Sequence, residues 1–282
     1  MDNKPKAVLF MLTSALAFVF MQTMVKLAGD IPIFEKVLFR NIVSLLVALN
    51  AIYHTKAKMF GKKENQKYLL SRSLLGIGGM VFYFYAISNL IMADASMLNK
   101  LSPFFVTIFA CIFLKEKLNK IQIPSLIVVF LGAMLIIKPQ FSFDVLPALS
   151  GLLSAICAGA AYTLVRLLKD KENPSTIIFY FSFVSVIAMI PLTIMNFQMP
   201  VGMQWLYLIG TGVFAAIGQY GLTFAYKYAP ASEISIYNYM SIIFATIMGL
   251  IVWKEFPDMW SIVGGLLVVG VAVVNFKYNR AS

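Results

Sequence analysis

Charged residues are scarce in this chain. Of its 282 residues, 12% are charged and 60% are hydrophobic, whereas a soluble domain has about 25% charged and about 45–50% apolar residues. This balance excludes an ordinary soluble enzyme and predicts that the chain lies in a lipid bilayer. The formal net charge of +11 is expected at the cytoplasmic ends of membrane helices and near anionic lipids, so we expect no nucleic-acid partner.

Residues suited to metal and redox chemistry are scarce as well. The chain has one histidine and two cysteines. His54 has no ligand cluster around it, and Cys111 and Cys157 fall in apolar segments where a thiol packs as a small apolar group. The sequence has no nucleophile elbow and no phosphate-binding glycine loop in a strand-to-helix context. We therefore expect no catalytic residue, no metal site and no cofactor, and we do not expect ATP to drive the protein.

Long apolar runs, in contrast, are abundant. A bilayer contains no water to satisfy backbone groups, so apolar runs of roughly 20 residues are read as membrane-spanning helices. The sequence predicts an all-α membrane protein with ten transmembrane helices, at residues 7–28, 34–53, 68–90, 95–114, 121–138, 146–168, 176–195, 203–226, 232–252 and 260–276.

The distribution of lysine and arginine predicts the orientation of these helices. Positive charge near helix ends is retained on the cytoplasmic side. With the N-terminus inside, most Lys and Arg residues fall at inner ends, and the outer ends hold only Lys26, Lys36, Lys138 and Lys254. We therefore expect both termini in the cytoplasm. Lys4 and Lys6 precede an apolar run that is too long for a cleavable signal peptide, so we expect it to be the first span.

A polar pattern recurs in the two halves of the chain at one constant offset. The residues of the first copy are Asp94, Asn99, Ser102, Lys115 and Glu116, and those of the second are Glu233, Asn238, Ser241, Lys254 and Glu255. The segment from Thr23 to Lys26 likewise resembles the segment from Thr163 to Arg166. We expect a duplication into residues 1–140 and 141–282, with five spans in each copy. Because five is odd, the copies would be inverted, which is the usual basis of alternating access.

The repeated polar residues have two interpretations each. Asp94 and Glu233 stand near helix N-termini at opposite faces, where a carboxylate either caps the helix or takes part in gating or proton coupling. Asn99 and Asn238, with Ser102 and Ser241, lie deeper in the spans. They either contact a substrate or make hydrogen bonds between helices. The Lys-Glu pairs are interpreted as helix ends whose side chains reach the interface.

Charged residues inside a span are costly, at about 2.5–3.5 kcal/mol each, so they are functional candidates with an expected partner. Arg40 could pair with Glu35 or Asp94, and Arg40 or Lys100 could bind an anionic group. Glu35, Arg40 and Lys100 join Asp94 and Glu233 as candidates for gating or coupling. Arg72 lies near an interface and is interpreted as an anchor. Pro103 removes a backbone hydrogen bond inside its span, which predicts a kink or a polar site there.

The sequence resembles the EamA-type members of the drug/metabolite transporter superfamily. The residues that carry the resemblance are Ala93-Asp94-Ala95-Ser96, Leu101-Ser102-Pro103-Phe104, Leu114-Lys115-Glu116-Lys117, Gly132 and Lys138-Pro139. Within that group, Phe39-Arg40-Asn41 is similar to the solute-carrier 35G subgroup and its bacterial relatives. The resemblance implies a central cavity between the two copies. The lining residues it favours are Gln22, Tyr83, Asn99, Ser102, Tyr162, Gln219, Asn238 and Ser241.

These observations together predict a transporter and not an enzyme. We expect a secondary-active or facilitative carrier or exporter of a small polar or amphipathic organic metabolite, with membrane lipids and protons as further partners. It is expected in the plasma or inner membrane, as a monomer or homodimer. A flippase for lipid-linked substrates and a membrane scaffold without transport are the two alternatives.

Overall fold

The computed structural model describes residues 4–115, 121–137, 145–168, 171–228 and 234–281. In these ranges the chain forms helices joined by short turns. The helices are α1 (Lys4–Leu27), α2 (Ile33–Thr55), α3 (Gln66–Asn89), α4 (Met92–Asn99), α5 (Ser102–Leu114), α6 (Gln122–Ile137), α7 (Leu146–Leu168), α8 (Pro174–Met195), α9 (Gln204–Tyr228), α10 (Met240–Trp253) and α11 (Met259–Ala281).

Nine helical stretches in the described part of the chain are long and apolar enough to cross a membrane. In two of them the crossing is made of two pieces: α4 with α5, and a 3-10 turn at Ser235–Tyr239 with α10. The predicted span at 121–138 corresponds to α6, whose apolar part Ile123–Ile137 is shorter than the others. The chain is a multi-pass membrane protein.

The two interrupted crossings lie at matched positions of the repeated pattern. In the first, α4 ends at Asn99 and α5 begins at Ser102, with Pro103 in its first turn. A proline fits there because the first N–H groups of a helix have no intrahelical partner. The sequence predicts a kink or a polar site at Pro103. The structure shows an interruption there, with one helix ending at Asn99 and the next beginning at Ser102. The second crossing is interrupted as well, although Ile242 stands where the proline would be.

Among the described residues, three helices end on a lysine in the left-handed conformation. Lys115 follows α5 with φ 55°, Lys254 follows α10 with φ 56°, and Lys56 follows α2 with φ 50°. A left-handed residue lets the next N–H groups turn back onto the last helical carbonyls, as Lys254 does by donating to the Gly249 and Leu250 carbonyls. Lys115 and Lys254, the lysines of the two Lys-Glu pairs, therefore stand where two crossings stop.

The largest helix contacts join the first half of the fold, α1 to α6, to the second half, α7 to α11. Helix α1 packs along α9, α3 along α7, α2 along α8, and α6 along α11. Small residues permit these approaches: a Cβ on Gly264 of α11 would lie 2.5 Å from the Gly132 carbonyl oxygen of α6. The hydrophobic core is therefore a seam between the two halves.

Hydrogen bonds between turns identify two ends of the helix bundle. At the end that we call face A, the Glu172 carboxylate accepts from the Lys62 backbone N–H at 2.8 Å and from Asn65 at 2.7 Å. At the other end, called face B, the Gln198 backbone N–H donates to Glu35 at 3.3 Å. The turns between α2 and α3 and between α7 and α8 thus lie at face A.

Candidate functional site

Two arginines from different helices meet over one aromatic ring inside the bundle. The guanidinium of Arg72, on α3, lies 4.0 Å from the centroid of the Phe181 ring on α8. The guanidinium of Arg40, on α2, lies 5.9 Å from the same centroid. Each arrangement is a cation–π contact, worth about 2 kcal/mol when desolvated. We call these three residues the arginine site.

Neighbouring residues fix this geometry. A Cβ at Gly76, one turn after Arg72, would lie 2.8 Å from a Phe181 ring carbon, so only glycine admits the ring at this depth. Arg40 donates from Nη1 to the Asn41 side-chain oxygen at 3.0 Å, and Asn41 in turn donates to the Val37 carbonyl at 2.8 Å. The Phe181 ring is therefore seated against Gly76 of α3, and the Arg40 guanidinium is held by a contact within its own helix.

Tyr162 and Tyr83 belong to the same neighbourhood. The Tyr162 side chain, on α7, lies near Arg40, Arg72 and Tyr83. Tyr162 is 56% exposed, whereas Tyr83 is buried at 9%. The predicted lining residues Tyr162 and Tyr83 are thus brought together beside the two arginines.

The Arg72 guanidinium carries buried donors that the described residues do not satisfy. Its Nε and Nη1 atoms are inaccessible and donate to no atom in the described part of the protein. The sequence interpretation of Arg72 as an interfacial anchor differs from this placement, because the guanidinium lies on Phe181. The partner suggested for Arg40, Glu35, is fully buried and accepts instead from the Gln198 backbone.

A second polar cluster joins the two interrupted crossings. Lys100, in the break between α4 and α5, donates from Nζ to the Asn238 side-chain oxygen at 3.1 Å. Ser241 donates to the Asn238 backbone carbonyl at 3.0 Å. Ser102 is buried at 9% exposure and Asn99 is half-buried at the end of α4. Lys100 of the first half and Asn238 of the second half therefore meet, and we call this contact, with the chain neighbours Asn99, Ser102 and Ser241, the break site.

The remaining candidates are dispersed. Gln22 is 4% exposed and its side-chain oxygen accepts from no described atom. Gln219 is half-buried, and its backbone carbonyl accepts from Thr223. Asp94 is buried at 5% in the first turn of α4. Glu233 lies outside the described residues.

An ion pair at face B was not expected from the sequence as a contact between halves. Lys26 Nζ lies 2.6 Å and 2.8 Å from the two Glu255 carboxylate oxygens, and it also donates to the Leu90 carbonyl at 2.9 Å. The Trp253 ring centroid lies 4.9 Å from the same Nζ. The ends of α1, α3 and α10 are therefore tied together. Glu255, interpreted from the sequence as part of a helix end, is thus also a contact between the two halves.

An apolar cleft of about 920 Å³ opens near face B between α2, α3, α7 and the end of α8. Its wall is mainly aliphatic and aromatic, with Phe34, Phe82 and Leu153 among the lining residues, and Ser150, Asn196 and Gln198 are its polar members. In the described ranges no three His, Cys, Asp or Glu side chains converge as they would around a metal ion.

Comparison with known proteins identifies relatives over nearly the whole chain. The model of the EamA-like transporter family matches twice, over residues 5–138 and 145–276. The pseudopaline exporter CntI of Pseudomonas aeruginosa is 34% identical over 95% of each chain. Human solute carrier family 35 member G1 is 28% identical over 92% of this chain and 76% of its own length.

Two further similarities agree with this result. The riboflavin transporter of Vibrio cholerae is 25% identical over 94% of this chain and 89% of its own length. A protein of known crystal structure, 17% identical, superposes with a TM-score of 0.70 over 99% of both chains, which shows a shared fold. The names of these relatives are those of transporters rather than enzymes.

Proposed function

The chain belongs to the EamA-like transporter family, and on that premise we propose that it carries a small polar or amphipathic organic metabolite by alternating access. In this proposal residues 1–140 and 141–282 form two inverted repeats. Both termini lie in the cytoplasm, and the membrane is the plasma or inner membrane. The substrate path includes the break site, Tyr83 and Tyr162 beside the arginine site, and the more distant Gln22 and Gln219.

The observation that carries this proposal is the symmetry of the helix contacts: a contact between two helices has a counterpart between the matching helices of the other half. If α1 corresponds to α7, α2 to α8, and α3 to α9, then the contact of α1 with α9 has the contact of α7 with α3 as its counterpart. Both contacts occur, and so do α2 with α9 and its counterpart α8 with α3. Inverted repeats that pack on each other in this way have two equivalent arrangements, one open to each side.

The ion pair at face B supports the same mechanism. Lys26 and Glu255 close one end of the seam, and Arg166 and Glu116 occupy the corresponding positions of the other copy. Glu116 lies outside the described residues. We propose that Arg166 and Glu116 form the matching closure at face A, so that the two ion pairs alternate during transport.

Transport can be tested without knowing the substrate. Liposomes containing the purified protein are loaded with a soluble metabolite extract, and mass spectrometry follows what leaves them. We expect at least one metabolite to leave faster than from protein-free liposomes, and Asn238→Ala to slow it about tenfold, as loss of about 1.4 kcal/mol would. Asn50→Ala on the exposed side of α2 is the control. Equal efflux with and without protein would exclude transport.

Proton coupling is a separate part of the proposal. Asp94→Asn and Glu233→Gln remove the two carboxylates at the matched helix starts. If these acids couple transport to protons, a pH gradient drives flux in the wild type and loses its effect in both variants. Unchanged gradient-driven flux in the variants would show that the acids only cap their helices.

The apolar cleft favours a second candidate, a flippase for lipid-linked substrates. Its exposed wall residues include Phe82 at 36% and Leu153 at 44%, so an acyl or prenyl chain could enter from the bilayer. Fluorescent lipids in proteoliposomes test this function by their accessibility to an impermeant quencher. A rate equal to that of protein-free liposomes would eliminate the flippase and leave the metabolite carrier.

A further inference from the structure

We infer that the substrate carries an oxyanion, a carboxylate or a phosphate, which binds between Arg40 and Arg72 in the arginine site. This inference rests on the proposed transport function and names its substrate class. Its first support is the convergence of two guanidinium groups on one ring deep between α2, α3 and α8. Two like charges at this depth raise each other's free energy, so they need a compensating negative charge.

Among the described residues, no carboxylate forms an ion pair with Arg40 or Arg72. Glu35 on α2 accepts from the Gln198 backbone, and Glu172 in the turn before α8 accepts from Lys62 and Asn65. The uncharged side chain of Tyr162 lies near both arginines. Buried Nε and Nη1 donors of Arg72 remain without an acceptor among the described residues. An arriving oxyanion would satisfy charge and donors at once.

The shape of the groups also fits an oxyanion. A guanidinium presents its N–H donors in a planar fork that matches carboxylate and phosphate oxygens in pairs. Stacking of Arg72 on Phe181 holds that plane fixed, and the Asn41 contact orients Arg40. The site is therefore organised before the ligand arrives, which limits the entropy lost on binding.

The position of the site explains how binding could reach the transport cycle. Arg40 and Arg72 belong to the first half of the fold, whereas Phe181 and Tyr162 belong to the second half. A ligand that contacts all four bridges the seam. Bound anion would therefore favour some relative arrangements of the halves over others, as a transported substrate must.

The inference can be tested through the charge of the transported compounds. Host cells express the wild type, Arg40→Gln, Arg72→Gln or the double variant, and mass spectrometry compares metabolites in the cells and in the medium. We expect the compounds redistributed by the wild type to carry a carboxylate or a phosphate, and their masses identify which. Arg72→Gln should reduce the redistribution at least about tenfold, as expected for loss of a desolvated charge-assisted bond.

A matched control removes a second buried cation from α2, the helix that carries Arg40. Lys36 of α2 is 1% exposed, and its Nζ already donates to the Gly29 carbonyl at 2.8 Å. Lys36→Gln should leave the set of transported compounds unchanged. Arg72→Lys keeps the charge without the planar fork, and Gly76→Ala displaces the Phe181 ring without altering charge. Both should give intermediate losses while the purified variants keep the wild-type size-exclusion profile.

The outcomes separate the two claims. If no compound depends on the wild-type protein, the transport proposal itself fails. If compounds move but are neutral or cationic, the oxyanion inference is overturned and transport stands. Anionic compounds that move equally well in the folded Arg40→Gln and Arg72→Gln variants would also overturn it.

Discussion

Individual side chains at face B determine how firmly one end of the seam is closed. Lys26 and Glu255 are 11% and 29% exposed, so their attraction is only partly screened. We expect a double-mutant cycle with Lys26→Met and Glu255→Gln to give a coupling free energy of about 0.5–1.5 kcal/mol. The free energy of unfolding of each variant is obtained from thermal unfolding. Strictly additive effects of the two substitutions would mean that the pair contributes nothing to closure.

The left-handed lysines predict where stability can be gained. A non-glycine residue with positive φ is strained by about 1–2 kcal/mol. Lys254→Gly, at φ 56°, should therefore raise the thermal midpoint by about 2–4 °C, the shift expected for a gain of about 1 kcal/mol. Lys277 lies inside α11. Lys277→Gly should therefore lower the thermal midpoint, because glycine costs about 1 kcal/mol within a helix. A lowered midpoint in Lys254→Gly would contradict the strain argument.

Helix packing makes a sharp prediction for two glycines of one helix. A Cβ on Gly264 would meet the Gly132 carbonyl oxygen at 2.5 Å, whereas a Cβ on Gly270 would meet nothing within 4 Å. Gly264→Ala should therefore cost about 1–3 kcal/mol through overpacking. Gly270→Ala should gain about 0.4–1 kcal/mol by restricting the unfolded chain. Chemical or thermal unfolding of the purified protein in detergent measures both, and similar effects would refute the close contact of α6 and α11.

Much of the helical layout could be predicted from the sequence. Apolar runs, breakers and charge determine where a helix can cross a membrane, and Pro103 indicated the break between α4 and α5. The second break could not be predicted in this way, because no proline occurs there. It depends on how Ser235–Tyr239 packs against α1 and α11, and local spacing contains no information on that packing.

The candidate site was predictable only in part. Lys100 contacts Asn238 across the two halves, whereas the matched pairs Asn99 with Asn238 and Ser102 with Ser241 stay predictions. Phe181 was missed because nothing in its local sequence distinguishes it from other aromatic residues in the spans. Its role arises from the rotation and tilt of α8 against α3, which Gly76 permits. A cation inside a span with no nearby acid was the signal that could have pointed to Arg72.

The molecule as a whole is expected to respond in opposite directions to changes at its two ends. A single cysteine at position 22, in a chain lacking Cys111 and Cys157, is labelled from face B with an impermeant maleimide. Glu255→Gln should speed labelling about three- to fivefold, as a shift of about 0.7–1 kcal/mol would.

Glu116→Gln tests the proposed partner closure at face A. It should slow the same labelling reaction, because it favours the arrangement that is open at face A and closed at face B. The exposed acid Glu64 provides the control, since Glu64→Gln removes a charge at face A without touching either pair. Labelling that rises in both the Glu255 and the Glu116 variants would argue for general loosening and against alternation.

The seam between halves also has a consequence for biosynthesis. The main partners of α1, α2, α3 and α6 are all synthesised later, in α7 to α11. After α1 to α6 have entered the bilayer, their small-residue surfaces therefore stay without their main helix partners until the second half is inserted. Residues 1–140 and 141–282 produced as separate polypeptides in one cell should consequently find each other and copurify, whereas the first alone should be degraded by membrane proteases. Copurification through an affinity tag on one fragment would measure the association of the two fragments. Accumulation of the first fragment when it is produced alone would contradict the prediction that it needs the second half.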